Sequence, residues 1–321
     1  MVNICAMGAA SQDVFLSGKG IQAQLDPATN DYVEAFKLGA KLNVEQVVFA
    51  SGGGATNAAV TFARQGQESH FIGRIGKDVI GDVILRGLDD EHIDTSGVIQ
   101  DEKLGTQYST ILLTESGERT ILIYRGAAHA HTAADYTSLD FEKFDWVYIS
   151  SFAGAFDALD IILDRAKKAG IKVAFNPGQA ELDDAERLRG LLEDVDVIIL
   201  NKDEAALLVE GSSSEELARH LTHYVPVSVV SDGPNGVVAT DGKTIISAGM
   251  YDDVPVLDRT GAGDAFGSGF VSKFSEGASL KDSVIFASAN STSVVAKIGA
   301  KEGILHKGVT LHDMPIKEEA F

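Results

Sequence analysis

The chain holds one cysteine, Cys5, in 321 residues. No intramolecular disulfide is possible, which excludes a disulfide-stapled secreted scaffold. Basic side chains are scarce: 27 Lys and Arg face 47 Asp and Glu, a net charge of −20. A chain this acidic repels phosphate backbones and anionic lipid at long range, so neither nucleic acid nor a membrane surface is an expected partner. A small anionic ligand remains compatible where local N–H dipoles and a metal ion bind it. Prolines number 6, and the 33 glycines show no triplet period, so the chain is not fibrous. No apolar run approaches the roughly 20 residues of a membrane helix. The longest, such as residues 195–200, suit buried strands. Asp13 interrupts the apolar start and no basic segment precedes it. No signal peptide is therefore expected, and a cytoplasmic location is.

What is present is the composition of a folded protein, 45% hydrophobic and 23% charged, which rules out a disordered chain. Strand-like runs fall at 2–7, 146–150, 172–175, 195–200 and 227–230. Helical spacing falls at 55–64, 78–92, 157–169, 183–192, 202–208, 215–223, 263–275 and 280–297. In 78–92, Val79, Val83, Ile84 and Leu88 read as one apolar face. Strands that are apolar throughout and alternate with helices predict an α/β fold with a mostly parallel sheet covered on both faces. Two regions break the alternation. Residues 106–114 and 119–124 read as a hairpin turning at Glu115-Ser116-Gly117-Glu118, and residues 14–50 are polar. Both read as a small β appendage on one large domain.

Two glycine-rich segments carry the chemistry. In Asp258-Arg259-Thr260-Gly261-Ala262-Gly263-Asp264, the phenylalanines that follow (Phe266, Phe270, Phe274) repeat every fourth residue, so a helix begins near Ala262. Gly261 and Gly263 let the backbone approach a ligand. The helix start then offers unpaired N–H donors and a positive dipole end. That arrangement suits an anion hole for a phosphoryl group. Asp264, in the first turn, can accept the proton of an attacking hydroxyl. The same residues also suit a plain glycine-rich helix start with an aspartate on its dipole. The second segment, Ser51-Gly52-Gly53-Gly54-Ala55-Thr56-Asn57, opens another helix, with Asn57 able to project its amide into a site. A flexible capped loop explains it equally well.

Other matches fail. Gly242-Lys243-Thr244 lacks the glycine that a phosphate loop requires, since that position is Val237. Gly8-Ala9-Ala10 lacks the dinucleotide pattern. His129/His131 and His220/His223 have no further metal ligand beside them and read as surface histidines. No G-x-S-x-G elbow anchors a hydrolase triad.

In their order, the two glycine-rich segments closely resemble the two signatures of the ribokinase-like (PfkB-type) carbohydrate and nucleoside kinase family. The resemblance runs along nearly the whole chain. It takes in Gly73-Arg74-Ile75-Gly76-Lys77-Asp78, Asp94-Thr95-Ser96-Gly97-Val98, Gly117-Glu118-Arg119-Thr120 with Tyr124-Arg125-Gly126-Ala127, and Asn201-Lys202-Asp203-Glu204. It implies a three-layer fold in one domain over residues 1–321, with a β-sheet lid formed by parts of 14–50 and 104–126. It implies transfer of the ATP γ-phosphoryl group to a primary hydroxyl of a ribose-type sugar or nucleoside. Asp264 is then the base, and Gly261, Ala262 and Gly263 the anion hole. Asp13, Gly53, Gly54 and Asn57 match acceptor positions, and Arg125 is a candidate for a substrate phosphate. Asn201, Glu204, Ser231, Gly233 and Gly236 match the nucleotide side, with Glu204 holding Mg²⁺ through water. Asp258 and Thr260 match a monovalent-cation site, with Gly299 in a matching later loop, so K⁺ is a further candidate.

Departures are also visible. Ribokinases usually carry Lys at the position of Gly54, Ser at that of Gly303 and Asn at that of Ser288. The segment between Asp13 and Gly52 is longer than theirs. A sugar-phosphate, hexose or keto-deoxy sugar kinase is thus an alternative, as is a non-catalytic sugar or nucleotide sensor. An exposed lid sheet would suit a homodimer.

Overall fold

The computed structural model describes residues 1–114, 119–249, 251, 254–311 and 313–321. The turn expected at 115–118 lies outside the described residues. A nine-stranded sheet forms the centre, in the order Ile316–Ala320, Thr244–Ala248, Val237–Thr240, Val227–Ser231, Val197–Asn201, Lys172–Phe175, Trp146–Ile149, Asn3–Met7 and Glu68–Ile72. Strands from Val227–Ser231 through Glu68–Ile72 pair in parallel, and the three on the other side pair antiparallel.

The apolar runs follow from burial on both faces. Ile4 and Ala6 pack into one core while Cys5 and Met7 pack into the other. Val197 and Ile199 likewise oppose Ile198 and Leu200. Helices Gly54–Arg64, Ala262–Ser275 and Leu280–Val295 cover the first face through Phe62, Phe270 and Val284. Phe156–Ala169, Ala185–Leu191 and Ser214–Leu221 cover the second through Leu159, Leu188 and Leu217. The edge strand Ile316–Ala320 carries Lys317, Glu318 and Glu319, charges that discourage pairing with another chain.

A separate four-stranded sheet runs Arg119–Tyr124, Gln107–Leu113, Ser11–Ser17, Gln46–Gly52. It unites the two segments that broke the alternation. It also takes in Asp13, which pairs with Ala50 on one side and Ser109 on the other. A short pair, Ala23–Leu25 with Tyr32–Glu34, adjoins it in sequence.

Two expectations need correction. In helix Val79–Asp90 the buried residues are Gly81, Ile84 and Leu88, while Val79 and Val83 are exposed. At 3.6 residues per turn Val79 lies about 180° round from Leu88, so those residues never shared a face. His131 is buried rather than on the surface: Tyr136 Oη lies 2.6 Å from its Nδ1, and its ring centroid lies 4.5 Å from that of Phe152, tilted by 39°. His220 and His223 are exposed, as expected.

Candidate active site

Two helix starts meet at one cleft. The helix Ala262–Ser275 begins after Gly261, whose φ of 78° is left-handed; a Cβ there would lie 2.4 Å from Ala300 Cβ. The helix Gly54–Arg64 begins after Gly53, with φ 97°; a Cβ there would lie 2.4 Å from Ala9 O. Only glycine meets both the conformation and the space. No side chain caps either start. Asn57 Nδ2 donates to Asp264 Oδ2 at 2.8 Å, and one turn on Ser268 Oγ donates to Thr61 Oγ1 at 2.8 Å. The helices therefore run side by side in the same direction, and their positive ends open together.

A cavity of about 310 Å³ is lined by Gly54, Ser150, Asn201, Glu204, Gly263 and Asp264. A second, of about 210 Å³, is lined by Gly233, Gly236, Ala262 and Ser288. Ser231, Gly263 and Phe266 belong to both walls. Two ligands, one in each cavity, would thus meet at the start of the Asp264 helix. Asp264 Oδ1 faces the bare Cα of Gly54, where a Cβ would come within 3.2 Å of it.

Burial pushes the Asp264 carboxyl above its ordinary value, opposed by the Asn57 hydrogen bond and the Lys301 charge. Asp13 is buried on the small sheet beside Ser11 and Ser109, and burial raises its carboxyl too. Glu204 is raised by burial, with the Asp264 charge adding to the shift and the hydrogen bonds to Asn201 opposing it. Glu204 and Asn201 cap their helix reciprocally: Asn201 N donates to Glu204 Oε2 at 2.8 Å, and Glu204 N donates to Asn201 Oδ1 at 2.9 Å.

The remaining predicted residues are placed as follows. Asp258 Oδ1 accepts from Thr260 N at 2.9 Å and Thr260 Oγ1 at 2.7 Å, and its Oδ2 from Gly299 N at 3.0 Å. This set clamps two loops together. At Gly303 a Cβ would lie 2.2 Å from Ser293 O, so a serine would not fit this backbone. Arg125 is exposed, its Nη1 3.0 Å from His129 Nε2, and it lines neither cavity.

Sequence reasoning missed two residues. Ser150 is buried on the first cavity, and its Oγ has no partner among the described residues. Lys301 brings its ammonium to Thr56 and Asn57. Burial lowers its pKa to about 7, with Asp13 and Asp264 opposing the shift. The signal for Lys301 was only its place just after Gly299 and Ala300.

A profile of the pfkB family of carbohydrate kinases matches residues 27–307. The chain belongs to that family. It is 28% identical over 279 residues to a ribokinase of Staphylococcus aureus, covering 83% of this chain and 89% of that one. It is also 28% identical over 263 residues to an ATP-dependent 6-phosphofructokinase of Thermoanaerobacterium thermosaccharolyticum, covering 78% and 80%. Among solved structures, Arabidopsis thaliana ribokinase complexed with ribose and ATP superposes with a TM-score of 0.78 at 21% identity, covering 95% of this chain and 96% of that one. The expected family and the α/β fold with its separate small sheet are borne out. The protein is a carbohydrate kinase of this family, a phosphotransferase with an alcohol group as acceptor.

Proposed function

We propose that this enzyme transfers the ATP γ-phosphoryl group to a primary hydroxyl of an uncharged ribose-type sugar or nucleoside. The observation that carries this is the junction of two uncapped helix starts around the Asn57–Asp264 pair. The acceptor lies at the Gly54 wall of the first cavity, on the side of Asp13, Gly53 and Asn57, and ATP in the second, against Ser231, Gly233 and Gly236. The acceptor O–H donates to Asp264 Oδ1. Its oxygen forms the new bond to the γ-phosphorus as the bond to the ADP oxygen breaks, and the proton passes to Asp264. Amides at the Gly261–Ala262–Gly263 helix start stabilise the charge on the migrating group. Ala262 N leans back 3.3 Å to Arg259 O, which leaves the next amides for that task.

Glu204 suits Mg²⁺: a carboxylate on the cleft, raised by burial and by the Asp264 charge, is relieved by a cation. With Asn201 beside it, Glu204 would hold the ion through water, and Mg²⁺ when bound shields the phosphate charge. At Asp258 and Thr260 a K⁺ would have to share the carboxylate and hydroxyl lone pairs left over from their contacts with each other and with Gly299.

The carboxylates of Asp13 and Asp264 favour a neutral acceptor over a sugar phosphate. Arg125, the candidate for a substrate phosphate, is turned to His129. The small sheet acts as the lid of a single kinase domain, its outer face pairs two copies, and the enzyme works in the cytoplasm. The test is a panel of ribose, fructose, adenosine, inosine and fructose 6-phosphate, read by ADP release and by melting temperature. A neutral sugar or nucleoside should give both signals. Turnover with phosphorylated sugars alone would contradict the reading.

A further inference from the structure

Lys301 Nζ lies 2.8 Å from Ser51 O, 3.2 Å from Ser51 Oγ, 3.5 Å from Gly52 O, 2.9 Å from Thr56 Oγ1 and 2.6 Å from Asn57 Oδ1. An ammonium carries only three N–H donors. These five neutral oxygens therefore surround it much as they would a bare monovalent cation. The balancing negative charge stands further off, on Asp13 and Asp264. The loop that delivers the side chain is stapled down. Arg64 Nη1 donates to Lys301 O at 2.8 Å and to Ile304 O at 3.0 Å. Gln65 Nε2 donates to Leu305 O at 2.7 Å, and Leu305 N to Asn290 Oδ1 at 2.9 Å.

This contact tells the two ends of the Asn57 amide apart. Oδ1 accepts from Lys301, and Nδ2 donates to Asp264 Oδ2. A flipped amide would set its NH₂ against the ammonium and its oxygen against the carboxylate, and both contacts would repel. The Asn57 orientation fixes one oxygen of Asp264 and leaves the other, Oδ1, facing the cavity over Gly54.

We propose that Lys301 is a positioning residue of the transfer site, its ammonium acting as a tethered internal cation that locks the Asn57 amide and so aims Asp264 at the acceptor hydroxyl. This rests on the assignment of Asp264 as base. The charged groups around Lys301 are Asp13 from the small sheet, Asp264 from its helix, Arg64 at the end of the Gly54–Arg64 helix, and Glu91 just past the Val79–Asp90 helix. With its pKa lowered to about 7, Lys301 loses charge as pH rises through that value, and kcat should fall with it.

The test compares Lys301→Met, Lys301→Arg and Lys301→Ala with the wild type, each checked for folding by its melting temperature. Lys301→Met keeps the apolar stem and loses the charge; its kcat should drop about a hundredfold, the scale of a misplaced catalytic group, while KM for ATP changes little. Lys301→Arg stays charged, so its kcat should lose the alkaline fall that starts near pH 7. In Lys301→Ala, ammonium chloride should restore part of kcat and raise the melting temperature more than sodium chloride does. A Lys301→Met enzyme with wild-type kcat would overturn the proposal, as would an unchanged alkaline limb in Lys301→Arg. Should the wild type phosphorylate no acceptor at all, the functional reading fails by itself. The ammonium-specific rise in melting temperature of Lys301→Ala then still decides whether the oxygens form a cation cradle.

Discussion

At Gly261 the chain meets a steric demand and a functional one in a single residue. Its φ of 78° and the 2.4 Å that would separate a Cβ from Ala300 bar any side chain, while in the proposed reaction its neighbouring amides face the migrating phosphoryl group. Gly261→Ala should cost about 1–3 kcal/mol of unfolding free energy in urea titrations from backbone strain alone, with transfer activity falling further than stability. This part of the site was legible because it is local: a left-handed glycine, a helix period in Phe266 and Phe270, and an aspartate in the first turn all lie within a few residues. Lys301 was not legible. Its oxygens at Ser51 lie 250 residues away in the chain, and no local spacing announces such a contact. Arg125 illustrates the converse, since only the folded chain shows His129 at its guanidinium.

At the scale of elements, Asp78 joins the two parts of the fold. It caps the helix Val79–Asp90 through Gly81 N at 2.8 Å, and it accepts from Thr106 N and Thr106 Oγ1, both at 2.8 Å, at the root of the small sheet. Burial pushes its carboxyl up, but these donors outweigh burial and hold it below the ordinary value. Asp78→Ala should therefore lose about 1–2 kcal/mol from the cap, measured by urea unfolding at pH 7. Because the folded-state value is depressed, the pH-dependent part of this stabilisation is present above about pH 4 and fades as pH falls further. Helices and buried parallel strands could be read from sequence because burial on one face writes a period into the helices, and burial on both faces a continuous apolar run into the strands. The strands Ser11–Ser17 and Gln46–Gly52 could not, for Ser11–Ser17 buries the polar Ser11, Gln12 and Asp13 while Gln46–Gly52 leaves the apolar Val47 and Phe49 exposed. The helix Val79–Asp90 was found but misphased, because exposed Val79 and Val83 mimic core residues.

At the scale of the whole molecule, the net charge of −20 and the apolar outer face of the small sheet pull in opposite directions. Phe49 is 71% exposed and Leu122 59%, on strands at the two edges of that sheet. Pairing of two copies through this face predicts a dimer in sedimentation velocity, converted to monomer by Phe49→Asp with Leu122→Asp. A monomeric wild type at all accessible concentrations would remove the pairing. The fold class was legible from the alternation of apolar strands and helices. The cleft was legible mainly through its glycine segments, since what brings Asn57 to Asp264 is the parallel packing of two helices far apart in the chain. The most direct measurement is the turnover of Asp264→Asn with a saturating neutral acceptor, alongside ATP binding by calorimetry. The base assignment predicts a loss of kcat of about 10²–10⁴-fold with ATP affinity nearly unchanged; wild-type turnover in that variant would contradict it.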